Sequence, residues 1–139
     1  MHTPAIITSS HQVLSLLSLQ RLLPCNQVVL LFLNQTKQLV HKSVHQAPLF
    51  STISLSAKDI FSPAITHHAK FVVIIQFRPS GHVAPQEMDR ALADSVDHVG
   101  KYVGVRLLDY LLVSARDYYS FRESMLLASL KQVGELAHA

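Results

Sequence analysis

The stretch that decides the fold is residues 76–89, which read QFRPSGHVAPQEMD. It begins inside the strongest strand candidate of the chain, Phe71–Phe77. Such a continuous apolar run is typical of a strand in the middle of a sheet, covered on both faces. Arg78–Pro85 is predicted to be a loop. The stretch therefore leads from the end of a buried strand, through a loop, into the next element.

A helix is predicted from about Gln86 to Tyr102, directly after this loop. Its buried face is predicted from apolar residues that recur at helical spacing, namely Met88, Leu92, Val96 and Val99. Gly100 and Gly104 are expected to loosen its end. Asp89 then lies on the first turns of the helix, near the end of the preceding strand.

The rest of the chain alternates between predicted helices and strands. The helices cover about His11–Leu23, Ser56–Ala69 and Glu123–Ala137; Ser56 is the N-cap of the second, which Pro63 kinks or restarts. The strands cover Gln27–Leu33, Gln38–Val44, Val105–Ser114 and Asp117–Phe121, with a short edge segment at Leu49–Ile53. The first two form a hairpin, which argues against an all-parallel sheet. The chain is therefore predicted to be α/β, a single domain over residues 1–139 with a mixed sheet flanked by helices.

Three segments resemble the RadC family, a branch of the JAMM/MPN metalloprotease-like domains. The RadC motif runs His-x-His-Pro-Ser-Gly, three residues, Pro-Ser, two residues, Asp. At that spacing this chain has Pro79, Ser80, Gly81, Pro85 and Asp89. Residues 104–110, GVRLLDY, resemble the family's Gly-Ile-Arg-Leu-Leu-Asp-His, and residues 119–123, YSFRE, resemble its Ser-Phe-Arg-Glu. The resemblance covers about residues 27–123 and implies a JAMM/MPN, cytidine-deaminase-like architecture.

Intact relatives bind zinc through the two histidines and the aspartate, and an upstream glutamate acts as general base. Here the histidine positions hold Gln76 and Arg78, and Asp89 alone remains. An amide is a poor zinc ligand, and a guanidinium has no lone pair to donate. The glutamate position falls at Ser43 or Val44, and no Glu or Asp occurs between residues 1 and 58.

The resemblance therefore implies a domain with no catalytic residues, no bound metal and no cofactor. Gln76, Arg78, Ser80 and Asp89 would be the vestigial positions of the metal site, and Ser43 or Val44 that of the general base. Arg78 carries a permanent positive charge beside a retained carboxylate, so we predict an Arg78–Asp89 ion pair in the old metal position. The alternative is that both side chains point into solvent, where such a pair contributes only ~0–1 kcal/mol.

The other histidines leave a relocated metal site open. His41 and His45 are four residues apart on a predicted strand, and His82 lies in the motif loop, so His45, His82 and Asp89 are the candidate ligands. His67 and His68 are adjacent on a predicted helix and therefore point in different directions.

The sequence favours a catalytically inactive domain that is an interaction module or a decayed copy of a zinc hydrolase, with an unknown protein partner. A homo-oligomer through the Leu-rich first and last helices is left open. The single cysteine, Cys25, excludes a disulfide within the chain and favours the cytoplasm. The longest apolar run, Val28–Leu33, is far shorter than the roughly 18 residues of a membrane span.

Two other functions stay open, a metal-dependent hydrolase with a relocated site and a nucleic-acid-binding accessory protein of DNA repair. For the second, Tyr118 and Tyr119 lie between Arg116 and Arg122 and could stack on bases. However, the net charge is only +3 and the twelve Lys and Arg residues are scattered, so charge alone does not support nucleic-acid binding.

Overall fold

The computed structural model describes residues 26–47, 55–78, 81–115 and 117–124. Within them lie β1 (Asn26–Leu33), β2 (Leu39–Ala47), α1 (Ala57–Thr66), β3 (Phe71–Phe77), α2 (Glu87–Val103), β4 (Arg106–Val113) and β5 (Tyr118–Ser120). The predicted helix at 11–23, the edge segment at 49–53 and the predicted last helix beyond residue 124 lie outside the described residues, as do Cys25, Ser80 and Arg116.

The strands form one mixed sheet in the order β2-β1-β3-β4-β5. β1 pairs antiparallel with both β2 and β3, β3 pairs parallel with β4, and β4 pairs antiparallel with β5. The predicted α/β fold with its opening hairpin is thus confirmed, and β3 is central, as its apolar run indicated. Because β3 and β4 are parallel, their C-terminal ends lie on the same side of the sheet. The helix α2 follows β3 in the chain and begins close to these two strand ends.

The two faces of the sheet bury separate apolar clusters. On the face covered by α1 and α2, the buried strand residues include Val28, Leu30, Phe32, Val72, Ile74, Leu107, Tyr110 and Leu112. The opposite face buries a second set, which includes Val29, Leu31, Val73, Ile75, Leu111 and Val113. The β2 residues in register with Val28, Leu30 and Phe32 are His45, Ser43 and His41. Side chains directly opposite in a pair share a face, so these three lie on the helix-covered face and Val44 lies on the other.

The first helix begins and ends through local hydrogen bonds. Ser56 is the N-cap, as predicted, and forms a capping box with Asp59. The expected restart at Pro63 is wrong, since α1 continues through this residue to Thr66. It stops short of Ala69 because His68 adopts a left-handed conformation, φ 55°, and the amide of Ala69 donates to the carbonyl of Ala64 (2.8 Å). This arrangement is a Schellman motif.

The buried face of α2 differs from the predicted one. Met88 is 64% exposed, and Leu92 and Val99 are only partly buried, whereas Val96 is buried as expected. The buried positions are Asp89, Ala93, Val96, Asp97 and Gly100. Apolar periodicity missed this face because two of its positions hold carboxylates and one holds a glycine. None of the helices in the described ranges is both long and apolar enough to cross a membrane.

The prediction that Gly100 and Gly104 loosen the end of α2 is wrong, because both glycines take part in a close turn. Gly104 is the C-cap in the left-handed conformation, φ 76°, and its amide donates to the carbonyl of Gly100 at 2.9 Å. A Cβ on Gly100 would lie 2.0 Å from the carbonyl oxygen of Val105. The absence of a side chain at residue 100 therefore lets the chain turn back closely into β4.

Candidate functional site

The end of β3 places two polar side chains next to the start of α2. Gln76 is the sixth residue of β3 and is in register with Val28, whose side chain lies on the helix-covered face. The amide of Arg78 donates to the carbonyl of Val113 at 2.7 Å and so continues the pairing with β4. Residues two apart on extended backbone project to the same side, so Gln76 and Arg78 both face α2.

Arg78 and Asp89 form a buried ion pair. Nη2 of Arg78 lies 2.5 Å from Oδ1 and 2.6 Å from Oδ2 of Asp89. The two side chains are only 11% and 4% exposed. The predicted pair is therefore present, and the alternative in which both side chains point into solvent is wrong. Two charges removed from water in this way depend on each other, because either would be costly to bury alone.

Asp89 also organises the first turn of α2. Its Oδ2 accepts a hydrogen bond from the amide of Gln86 at 2.8 Å, which satisfies one of the donors that a helix leaves free at its start. A carboxylate in the first turn is further stabilised by the positive end of the helix dipole. The same side chain thus binds Arg78 and anchors the helix that carries it.

Tyr110 completes the cluster and was not predicted as a site residue. Its hydroxyl lies 2.9 Å from Oε1 of Gln76 and 3.2 Å from Oδ1 of Asp89, and its one proton is shared between these two acceptors. Burial, followed by the negative charge of Asp89, raises the pKa of Tyr110 above its ordinary value, so the phenol stays protonated and acts as a donor. The available signal was in the segment 104–110, where Tyr110 stands at the position of the histidine in the family's Gly-Ile-Arg-Leu-Leu-Asp-His.

A β-bulge brings Tyr110 to this position. The register between β3 and β4 shifts after Val72, so that Val72 faces Leu107 while Ile74 faces Tyr110. The extra residue in β4 keeps Leu107 and Tyr110 on the same face although they are three residues apart.

Asp109, the neighbour of Tyr110, ties β4 to the segment after β5. It is buried, and its Oδ2 accepts from the hydroxyl of Ser120 at 2.8 Å while its Oδ1 accepts from the amide of Arg122 at 3.1 Å. Phe121, between these two residues, stacks on Tyr110 with ring centroids 4.9 Å apart. The three segments that resemble RadC are therefore in contact with one another in the fold.

Comparison with known sequences supports the resemblance that these three segments carry. The sequence pattern of the RadC-like JAB domain family matches residues 7–126, which is most of the chain. The chain belongs to this family.

Three curated relatives are UPF0758 proteins. One from Chlorobium chlorochromatii (strain CaD3) is 28% identical over 97 residues, which cover 70% of this chain and 44% of the relative. One from Thermotoga maritima is 38% identical over 66 residues, or 48% of this chain and 30% of the relative. One from Streptococcus sanguinis (strain SK36) is 31% identical over 99 residues, or 69% and 42%. The chain spans less than half the length of each.

The donor set of this RadC-like JAB domain does not fit a zinc ion. A zinc site needs several lone pairs directed at one point. Here the Arg78 guanidinium lies against both oxygens of Asp89, and Gln76 offers an amide that is already bonded to Tyr110. Asp89 remains as one carboxylate, and its lone pairs are shared among three donors.

The other predicted positions do not assemble a metal site either. Within the described residues, no group of three or more His, Cys, Asp or Glu side chains is close enough to hold a metal ion. The relocated site of His45, His82 and Asp89 is therefore not formed. Ser43 lies on the face of the ion pair, whereas Val44 is 45% exposed on the opposite face. Of the two predicted general-base positions, only residue 43 therefore shares a face with Arg78 and Asp89.

Proposed function

We propose that this RadC-like JAB domain is not a zinc hydrolase and that it functions by binding another protein. The observation that carries the proposal is the ion pair of Arg78 and Asp89. It puts a permanent cation against the one carboxylate that the family's zinc motif retains in this chain. A divalent ion at this carboxylate would have to displace the guanidinium and would be repelled by it.

We further propose that this chain lacks the general base of the family's reaction. Ser43, which has the right direction on β2, has a hydroxyl that cannot take a proton near neutral pH as a carboxylate does. Asp59, the first acidic residue of the chain, serves the capping box of α1 instead. On this proposal, both histidine ligands and the proton acceptor of the reaction are replaced, and only Asp89 of the zinc ligands is retained.

The test is zinc content together with hydrolysis. The purified chain is incubated with excess zinc, desalted and analysed for metal, and assayed in parallel on a pool of fluorogenic peptides. We expect zinc well below one equivalent and no turnover above that of the Asp89→Asn variant. One equivalent of zinc that is lost in Asp89→Asn, or turnover that is lost with it, would show that the domain is a metal-dependent hydrolase.

The binding role is supported by apolar side chains that stay on the surface. Tyr102 is 80% exposed, Met88 64% and Val44 45%. Sedimentation of wild type, Tyr102→Ser and Val44→Lys over a range of concentrations tests a second copy of the chain as the partner. A wild-type monomer throughout would direct the search to a different protein. We place this partner in the cytoplasm, where the single cysteine would stay reduced.

Nucleic acid is the control ligand for the same proposal. The chain is titrated into duplex DNA at low and at moderate salt. Tight binding that weakens steeply with salt would replace protein binding by a nucleic-acid role, as expected of the DNA-repair alternative.

A further inference from the structure

The far end of α2 holds a second buried carboxylate, Asp97. It lies eight residues after Asp89, or about 12 Å along the helix axis. Asp97 is only 6% exposed, yet among the described residues it has no hydrogen-bond or ion-pair partner, whereas Asp89 has three donors. Its oxygens are not among the described side-chain atoms that are buried without a hydrogen-bond partner, so solvent in the adjoining cavity reaches them. A cationic group that enters the cavity can therefore bind Asp97 directly.

Asp97 forms part of the wall of an open cavity of about 320 Å³. The cavity is lined by Asp97, Gly100, Lys101, Gly104 and Arg106. It lies where α2 ends and the chain turns back into β4. A Cβ on Gly104 would meet no atom within 4 Å. A larger side chain at this residue of the cavity wall would therefore have open space to occupy.

The charges around the cavity are separated. Asp97 contributes its carboxylate to the wall of the cavity, and the C-terminal end of α2 adds a partial negative charge on the same side. Lys101 and Arg106 are exposed on the rim, and neither comes within ion-pair distance of Asp97. A simple metal cation would be repelled by the two basic side chains, and a simple anion by the carboxylate. The arrangement instead suits a ligand that carries both charges.

We propose that this cavity binds a small zwitterion, with its ammonium group at Asp97 and its anionic group at Lys101 and Arg106. The anion can be a carboxylate, as in a free α-amino acid, or a phosphate, as in a phosphorylated amino alcohol. The cavity volume is at the lower end of the range of small-molecule sites, roughly 300–1,000 Å³. The proposal does not depend on the state of the Arg78–Asp89 ion pair, because its residues are distinct.

Calorimetric titration of the full chain tests the ligand class. One arm uses a panel of free α-amino acids, and another uses O-phosphoethanolamine, so the two arms separate carboxylate from phosphate. N-acetylated amino acids and simple alkylamines, which each keep one of the two charges, are the controls. We expect saturable one-to-one binding of at least one zwitterion and none of the controls. Absence of binding in both arms, or equal binding of the controls, would overturn the proposal.

Variants then assign the site. Asp97→Asn and Arg106→Gln are expected to weaken the zwitterion by about tenfold or more, the loss expected of a charge contact. Asp94→Asn, an exposed carboxylate one turn earlier in α2, should leave the affinity unchanged. Gly104→Asn keeps a residue that tolerates the left-handed conformation and reduces the cavity, so it should also weaken binding. Unchanged affinity in folded Asp97→Asn, or in Arg106→Gln and Gly104→Asn if Asp97→Asn does not fold, would refute the site.

Discussion

The guanidinium of Arg78 has a structural role, because Asp89 is nearly inaccessible to water and its two oxygens face this one cation. Arg78→Met would keep much of the side-chain volume and leave the carboxylate without its counter-charge. We expect the free energy of unfolding to fall by about 3–5 kcal/mol, the usual cost of breaking a buried pair from one side. Urea denaturation measures this. The control is Arg90→Met, on the exposed side of α2, which should change stability by less than about 0.5 kcal/mol.

The hydroxyl of Tyr110 is the second residue-scale determinant of the cluster. Tyr110→Phe removes the donor shared by Gln76 and Asp89 and leaves two acceptors short of a hydrogen bond. The expected loss is about 1–3 kcal/mol in urea denaturation. Tyr102→Phe, at an 80% exposed position, is the matched control and should be close to neutral. A loss as small as that of Tyr102→Phe would show that the hydroxyl does not stabilise the fold.

The same tyrosine predicts a pH dependence. The pKa of Tyr110 is raised in the folded state, by burial first and then by the charge of Asp89. Its stabilising contribution is therefore fully present below the ordinary tyrosine pKa of about 10 and is lost as the pH rises above it, because only the unfolded chain then releases the proton readily. Between about pH 9 and about pH 11, wild type should lose more stability than Tyr110→Phe. Parallel slopes for the two proteins would contradict the raised pKa.

These residues differ in how far the sequence could predict them. The Arg78–Asp89 pair was predictable because a cation and a carboxylate occupy positions that the RadC spacing brings together. Tyr110 was not, because its partner Gln76 is 34 residues away and its direction depends on a β-bulge that no local pattern of residues reveals. Asp97 was missed for another reason, since apolar periodicity does not assign a carboxylate to a buried face.

At the scale of elements, the turn from α2 into β4 depends on two glycines for different reasons. Gly100→Ala would place a Cβ against the carbonyl of Val105, whereas Gly104→Ala would meet open space but in a left-handed conformation. We expect Gly104→Ala to cost about 1–2 kcal/mol. Gly100→Ala should cost more than this, because backbone atoms must move to admit the methyl group. Thermal unfolding of both variants gives the order, and a milder effect at residue 100 would contradict the close approach of the chain.

The contact between β2 and the end of α1 predicts a second pH dependence. The rings of His41 and His67 stack with centroids 3.9 Å apart, and the pKa of His41 is lowered, by burial first and then by the charge of His67. The folded state therefore binds this proton less readily than the unfolded chain, so the contribution is present above pH 6.5 and is lost as the pH falls below it. His41→Phe should flatten the decrease in stability between about pH 7.5 and about pH 5. The exposed His98→Gln serves as control, and an equal slope in His41→Phe would reject the coupling.

The elements themselves were predicted well where one physical signal dominated. The central position of β3 followed from its unbroken apolar run, and the N-cap of α1 from Ser56. The end of α1 did not follow from any residue preference, because the left-handed residue of its Schellman motif is His68 and not a glycine. The faces of α2 were missed because buried carboxylates, which bind Arg78 or line a cavity, occupy positions where the pattern requires apolar residues.

At the scale of the whole molecule, the sheet brings together segments that are far apart in sequence at the C-terminal ends of β3 and β4. The parallel pair β3 and β4 ends beside the start of α2, and Phe121 packs on Tyr110 from the segment after β5. This is the general position of ligand sites in α/β sheets, outside the carboxyl ends of parallel strands. The cluster of Gln76, Arg78, Asp89 and Tyr110 lies at this position, and we expect these side chains to determine whether it can hold a metal.

This separation of scaffold and side chains predicts that zinc binding can be restored. Gln76→His and Arg78→His together provide two imidazoles on the same side of the strand end and release Asp89 from the guanidinium. We expect the double variant to bind zinc with at least about tenfold higher affinity than wild type. Equilibrium competition with a chromogenic chelator measures the affinity, and circular dichroism verifies the fold. A folded double variant with wild-type affinity would contradict the alignment of these two positions with the family's histidines.

The register of β2 then distinguishes the two candidate positions for the general base. Ser43 is opposite Leu30 on the face of the ion pair, whereas Val44 is opposite Val29 on the other face. In the double-histidine background, only Ser43→Glu should place a carboxylate beside zinc-bound water, and only that variant should hydrolyse a fluorogenic peptide pool faster than its parent. Val44→Glu adds the same charge on the wrong side and is the matched control. Turnover that rises equally in both would mean that the added charge acts without direction, and turnover in Val44→Glu alone would show that the strand pairs in a different register.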